Sequence, residues 1–165
     1  MSRPNTFGDF KCAHCGHIVS SVHWLSGVNN RNHCPYCLWS RHLDLYAAGD
    51  RLSACKAPMQ PIALTSKRSR NKYSHGYGEL MLVHQCTACD SISINRIAAD
   101  DDAGMLLVIF NDSFALPART RNLLLECEIV ILPPSSLPML GLQLFGKVTN
   151  TCSVETIDFL QKSIN

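Results

Sequence analysis

Apolar positions fall into two regimes along the chain. Up to about residue 98 they form short extended stretches broken by polar turns, and two of these stretches share a layout. "FKCAHCGHIVS" (10–20) and "HQCTACDSISI" (84–94) each place C-x-x-C between extended segments. "ELMLVHQ" leads into the second copy, and Ile92 and Ile94 alternate behind it, as a half-buried strand requires. The repeated unit is strand–knuckle–strand. Between the copies lie "HCPYC" and "LSACKAPMQPI", the latter punctuated by Pro58 and Pro61, and then a basic loop, "KRSRNKYSHGYG" (67–78), in which Gly76 and Gly78 supply turn geometry.

The second regime begins at "AADDDAG" (98–104), where three aspartates favour a helix start. "MLLVIFNDSFAL" has no clear period and reads as a short buried helix or a strand. "ARTRNLLLECEIVIL" reads as helix first and strand last, and "PPSSLP" (133–138) as a rigid connector. "SVETIDFLQKS" (153–163) predicts a helix with Ser153 as N-cap and Val154, Ile157 and Leu160 on one face. The expected fold is small α+β. A β-rich module over 7–102 precedes a mixed α/β extension over 103–165, which packs on it or mediates interaction.

Composition sharpens the picture in one respect. Nine cysteines in 165 residues are many for a chain of otherwise ordinary make-up. "MSRPNTFGDFK" lacks the apolar core of a secretory signal, and the longest apolar run, "MLLVIF" (105–110), is too short to span a bilayer. A cytoplasmic protein with no membrane role is expected, and in that reducing setting clustered cysteines point to metal or redox chemistry. Charge is divided: residues 1–99 hold eleven Lys and Arg against five Asp and Glu, and residues 100–165 hold four against eight. All seven histidines and seven of the cysteines precede residue 90, so the chemistry sits in the first region.

Cys12-x-x-Cys15, eighteen residues, then Cys34-x-x-Cys37 has zinc-ribbon spacing. Each knuckle aims two thiolates at one ion, and two knuckles close a tetrahedron with no open position, which makes the site structural. Cys86, Cys89 and Cys55 supply three thiolates of a second site. Its fourth ligand is His84 or His42, with His84 slightly ahead because residues two apart share a strand face with Cys86. A cross-braced pairing of knuckles 34–37 and 86–89 is the alternative. Rubredoxin-type iron usually has Gly after each knuckle, where this chain has Leu38 and Asp90. A thioredoxin-type pair precedes a helix, whereas these knuckles lie between strands. A zinc deaminase needs H-x-E, which is absent. Two zinc ions are expected.

"RNHCPYCLWSRHLD" (31–44), "GDR" (49–51), "CKAPMQPI" (55–62), "GE" (78–79), "VHQCTAC" (83–89) and "NRIAADD" (95–101) together resemble the RNHCP-motif family, small and mostly bacterial zinc-binding proteins. The resemblance covers residues 7–102 and implies zinc and a fold, but no particular activity. The chain departs from the family pattern at Lys56-Ala57, in place of a glycine-containing C-x-G-x-M turn, at Asp90, where Gly commonly follows the knuckle, and at Ala48, where Pro often precedes "GDR". These positions affect turns rather than ligands.

The polar residues around the knuckle have a structural reading and several functional ones. Arg31, Asn32 and His33 would donate to thiolate sulfur or to the neighbouring backbone and so orient the metal site. His42 with Asp44 would be a ligand and its supporting carboxylate, and Arg41, Asp50 and Arg51 an ion-pair lattice. Trp24 and Trp39 are expected in the ribbon core, and Cys127 and Cys152 as buried thiols. The leading functional reading is an adaptor associated with RNA or the ribosome. Lys67, Arg68, Arg70 and Lys72 would hold phosphates, and Tyr73 and Tyr77, with His75 between them, would stack on bases. Two zinc centres of net −2 and −1 reduce the +6 of the first region to about +3, so the pull is local rather than global. A protein–protein adaptor using the acidic, apolar tail is the alternative. Phosphodiester cleavage by His42 and Asp44, with Arg31 and Arg51, is the least favoured.

Overall fold

The "ELMLVHQ" stretch and the stretch that follows Ala57 become the two longest strands. A computed structural model describes residues 8–67 and 78–146 of the chain. Strands β1 (Phe10–Lys11) and β2 (Ile18–Val19) pair antiparallel around the first knuckle. A single helical turn, α1 (His23–Ser26), ends at Gly27, whose φ of 70° is the left-handed cap that glycine adopts without strain. Strands β3 (Ser40–Arg41), β4 (Pro58–Lys67), β5 (Glu79–Cys86) and β6 (Ile92–Arg96) form an antiparallel sheet in that spatial order. The β4–β5 pairing runs from Met59↔Cys86 to Lys67↔Glu79, with one register shift between Pro61 and Ala63. The shift falls beside a proline, which has no N–H to give the ladder.

β5 is buried along Leu80–His84 on successive positions, so both of its faces are covered. Helices supply part of that cover. The ambiguous run after residue 102 is helix α2 (Ala103–Asp112): Asp102 accepts from the Met105 N–H at 2.8 Å, and Leu106, Ile109 and Phe110 at i, i+3 and i+4 are buried. A 3-10 turn (Ser113–Ala115) and Pro117 lead to α3 (Ala118–Glu126), whose Leu124 joins Ile62, Ala63 and Val83 in the core of the sheet. The chain then extends, and Ile131 bridges to Thr65, whose hydroxyl donates to the Val130 carbonyl at 2.6 Å. The helix expected at the start of this stretch is seen, whereas the strand expected at its end is reduced to the single bridge at Ile131.

The described residues fall into two compact units, divided after Ile131. Helices α2 and α3 belong to the first. In the second, "PPSSLP" is more than a connector: residues Pro134–Ser136 make a 3-10 turn and Leu137 opens α4 (Leu137–Phe145), with a proline in its first turn, where a missing N–H does no harm. The helix expected over 153–163, and Cys152, lie outside the described residues.

Candidate metal centres

Three knuckles are built to one plan. In each, the first cysteine's N–H donates to the carbonyl five residues on: Cys12 to His17 at 2.8 Å, Cys34 to Trp39 at 2.9 Å and Cys86 to Ser91 at 2.9 Å. The residue after the second cysteine turns left-handed in every case, with φ of 80° at Gly16, 60° at Leu38 and 59° at Asp90. Lys56, after the lone Cys55, does the same at 53°. The departures from glycine noted in the sequence at Lys56 and Asp90 therefore fall where glycine would be least strained.

The first two knuckles converge. Cys12, Cys15, Cys34 and Cys37 bring their sulfurs within 4.8 Å of one another. Cys12 and Cys37 are 3.6 Å apart, as are Cys15 and Cys34. Zinc–sulfur bonds of about 2.3 Å put the corners of a tetrahedron about 3.8 Å apart, so the four sulfurs fit one zinc ion. Val19 and the half-buried Phe10 pack against the buried Cys12 and Cys34. Crowding like-charged thiolates together has the expected effect. Burial raises the Cys34 thiol to about 11 and pushes Cys37 up further. At Cys12 burial is outweighed by the Cys15 and His14 backbone N–H groups, which bring the thiol down to about 7. A dication removes this conflict by neutralising the charges held together.

The second group is Cys55, Cys86, Cys89 and His42, again within 4.8 Å. Cys55 and Cys86 are 3.7 Å apart, and His42 Nδ1 lies 3.2 Å from the Cys89 sulfur. The shorter nitrogen edge suits a zinc–nitrogen bond of about 2.0 Å. Ser91 Oγ approaches the Cys89 sulfur at 3.2 Å and, with the Ser91 backbone, holds that thiol down at about 6. The two groups thus fit two zinc ions, one with four cysteines and one with three cysteines and a histidine. Both have four ligands and no open position, so both are structural. The first site pairs knuckles 12–15 and 34–37, not the cross-braced alternative.

His84, slightly favoured for the fourth ligand, is not in this group. It is fully buried, with Nε2 donating to the Leu38 carbonyl at 2.7 Å and Nδ1 accepting from the Asn95 amide at 2.9 Å. Burial, then the neighbouring His33, lowers its pKa to about 3 against the opposing pull of the Leu38 carbonyl, so the ring is neutral. Sharing a strand face with Cys86 placed it near the ligands, but the carbonyl claimed it first.

The RNHCP domain model matches residues 7–107. The chain belongs to the RNHCP-domain family. No curated protein and no solved structure shows a significant match. The signature that gives the domain its name can be read residue by residue, and four of its five residues bond to the stretch 95–102. Arg31, its side chain fully buried, makes a two-pronged ion pair with Asp100 at 2.7 and 2.8 Å and reaches Asp101 at 3.4 Å. Asn32 donates to Asn95 Oδ1 at 3.0 Å. His33 Nε2 donates to Asp101 at 2.8 Å, and that carboxylate also accepts the Ala98 N–H. Cys34 is a metal ligand, and the Pro35 carbonyl accepts the Asp102 N–H at 2.9 Å. Of the two roles expected, bonding to the neighbouring backbone is seen, with Arg31 donating to the His33 and Ser20 carbonyls at 3.3 Å, whereas among the described residues no bond runs from Arg31, Asn32 or His33 to a thiolate sulfur. They clamp the second knuckle to the segment after β6. Asp100, Asp101 and Asn95 were not singled out as site residues, although "NRIAADD" was visible as part of the family string.

Other expectations change too. Asp44 does not support His42: it accepts the Gly49 and Arg51 N–H groups at 2.8 and 3.1 Å. Asp50 is no lattice member but accepts from the Leu45, Tyr46, Ala47 and Leu52 amides at 2.8–3.0 Å. Those donors hold its carboxyl well below the usual range. Between them Gly49 turns at φ 88°, where a Cβ would strike the Asn30 amide at 2.7 Å. Arg41 bonds the Lys56 carbonyl. Trp24 is 79% exposed and not core, Trp39 stacks on His14 at 4.1 Å, and Cys127 is exposed. Of the basic run, Lys67 ends β4 opposite Glu79, while Arg68, Arg70, Lys72, Tyr73 and Tyr77 lie outside the described residues. Among the described residues no helix is long and apolar enough to cross a membrane.

Proposed function

We propose that this zinc-binding structural protein is a cytoplasmic adaptor that contacts RNA, as on a ribosome, through the basic segment 67–77. The observation that carries this reading is the β4–β5 pairing. The two longest strands stay paired out to Lys67↔Glu79, so the basic and aromatic run is the connection between them. Four cations within six positions favour phosphate, and tyrosines beside them favour unpaired bases. The zinc centres take no chemical part; they hold the sheet that carries the segment. His42 faces the second metal group and Asp44 is occupied by loop amides, so the acid–base pair needed for phosphodiester cleavage is not supported. A protein-binding adaptor is the second reading, supported by the exposed Ile18, Val22, Trp24 and Leu25 on one short stretch.

The test is anisotropy of a labelled single-stranded RNA against salt. Replacing Lys67, Arg68, Arg70 and Lys72 together with Ser should weaken binding to all sequences and flatten the salt slope, with two zinc ions retained. Unaltered affinity, or none at about 50 mM salt, would move the assignment to the protein adaptor.

A further inference from the structure

A cleft of about 460 Å³ lies beside the second metal centre, walled by residues 91–95 on one side and 41–48 on the other, with Met59 among its lining. Side chains of a strand alternate between faces, so five consecutive residues can line one cleft only if it runs along the strand's edge. The strand is β6, the last of its sheet, and among the described residues no backbone hydrogen bond reaches its outer edge. Asn32, bonded to Asn95, stands at one end of the cleft, and His42 and Ser91, at the metal group, stand at the other. We propose that this cleft receives an extended peptide segment of a partner protein, which adds to β6 as a fifth strand.

Charge decides the occupant. Arg41 is the cleft's one guanidinium and already bonds the Lys56 carbonyl, while Asp44 is matched by the Arg51 and Gly49 amides. Nothing there attracts a phosphate chain, whereas an uncharged main chain needs only the donors and acceptors of the β6 edge. Ile94 and Leu45, 36% and 49% exposed, offer apolar contact to alternate side chains. The far wall is already set, because Asp50 holds the amides of residues 45–47. The second metal group joins the walls: His42 belongs to one, and Cys86 and Cys89 to the turn that starts the other. This proposal does not depend on the RNA reading.

The probe is an array of fluorescein-labelled heptapeptides with apolar residues at alternate positions, titrated into the zinc-loaded full chain. Binders should lose at least 10-fold in affinity when alternate amides on one edge are N-methylated and less than 2-fold when those on the other edge are. Ile94→Lys should cost at least 10-fold with two zinc ions kept, and Cys86→Ser with Cys89→Ser should abolish binding. The four-serine loop variant should bind peptide like the natural chain, which separates this outcome from failure of the RNA reading. Absence of any binder, equal tolerance of both methylation patterns, or indifference to Ile94→Lys would overturn it. So would displacement of the peptide by single-stranded RNA, or a dimer in sedimentation that Ile94→Lys dissolves.

Discussion

Leu38 and Lys56 share a backbone conformation and differ in everything else. A left-handed residue other than glycine costs about 1–2 kcal/mol, so glycine should relieve both. Lys56 is exposed, its ammonium bonding only the Arg51 carbonyl. Lys56→Gly should therefore raise stability by up to about 1 kcal/mol in denaturant unfolding of the zinc-loaded protein. Leu38 is fully buried, and Leu38→Gly should instead lose about 2–5 kcal/mol, because the lost packing exceeds the relieved strain. Asp50 gives a pH-dependent counterpart. Its folded pKa is depressed, so its contribution is complete above the unfolded value of about 3.9 and fades as pH falls below it. Hydrogen exchange of the Leu45, Tyr46 and Ala47 amides, corrected for intrinsic rates, should quicken below about pH 4, and Asp50→Asn should quicken it at pH 7.

Among the elements, the knuckles were legible in the sequence because their geometry is local: C-x-x-C between extended segments is enough to specify the turn. Helix α2 was only half legible, since a nearly continuous apolar run shows its face only after the sheet has chosen a side. The clamp was not legible at all. Arg31 and His33 find partners 68–70 positions away, and no spacing rule reaches that far. His84 failed for the same reason, its carbonyl partner being 46 positions distant. The clamp has a measurable weight. The Asp101 side chain is wholly buried, and Asp101→Ala should cost about 3–5 kcal/mol by taking their acceptor from the His33 ring, the Ala98 N–H and one nitrogen of the buried Arg31 guanidinium. Asp100, with its side chain 37% exposed, faces solvent that can substitute, and Asp100→Ala should cost less. Urea unfolding at fixed zinc compares the two.

At the scale of the whole molecule, the sheet and all three knuckles depend on metal. The β1–β2 pair is only two residues long on each side, too little to persist alone. Metal analysis should find two zinc equivalents. A strong chelator should remove them in two phases, the second centre first, because Cys55 and Cys89 are exposed whereas the first centre has two buried sulfurs. Cys86→Ser with Cys89→Ser should leave one equivalent and only the slow phase. Loss of the strand signal in circular dichroism should accompany full removal.

The hydrogen bonds around His84 all run one way: Asn32 donates to Asn95, Asn95 to the imidazole, and the imidazole to the Leu38 carbonyl. Leu38 closes a knuckle of the first centre, and His84 stands two residues before Cys86 of the second. The Nε2 proton is therefore a natural magnetic resonance probe. Shielded from water and held in a short bond, it should appear as a slowly exchanging downfield line in a ring of fixed tautomer. One frequency would then register occupancy of both centres, without a label in either.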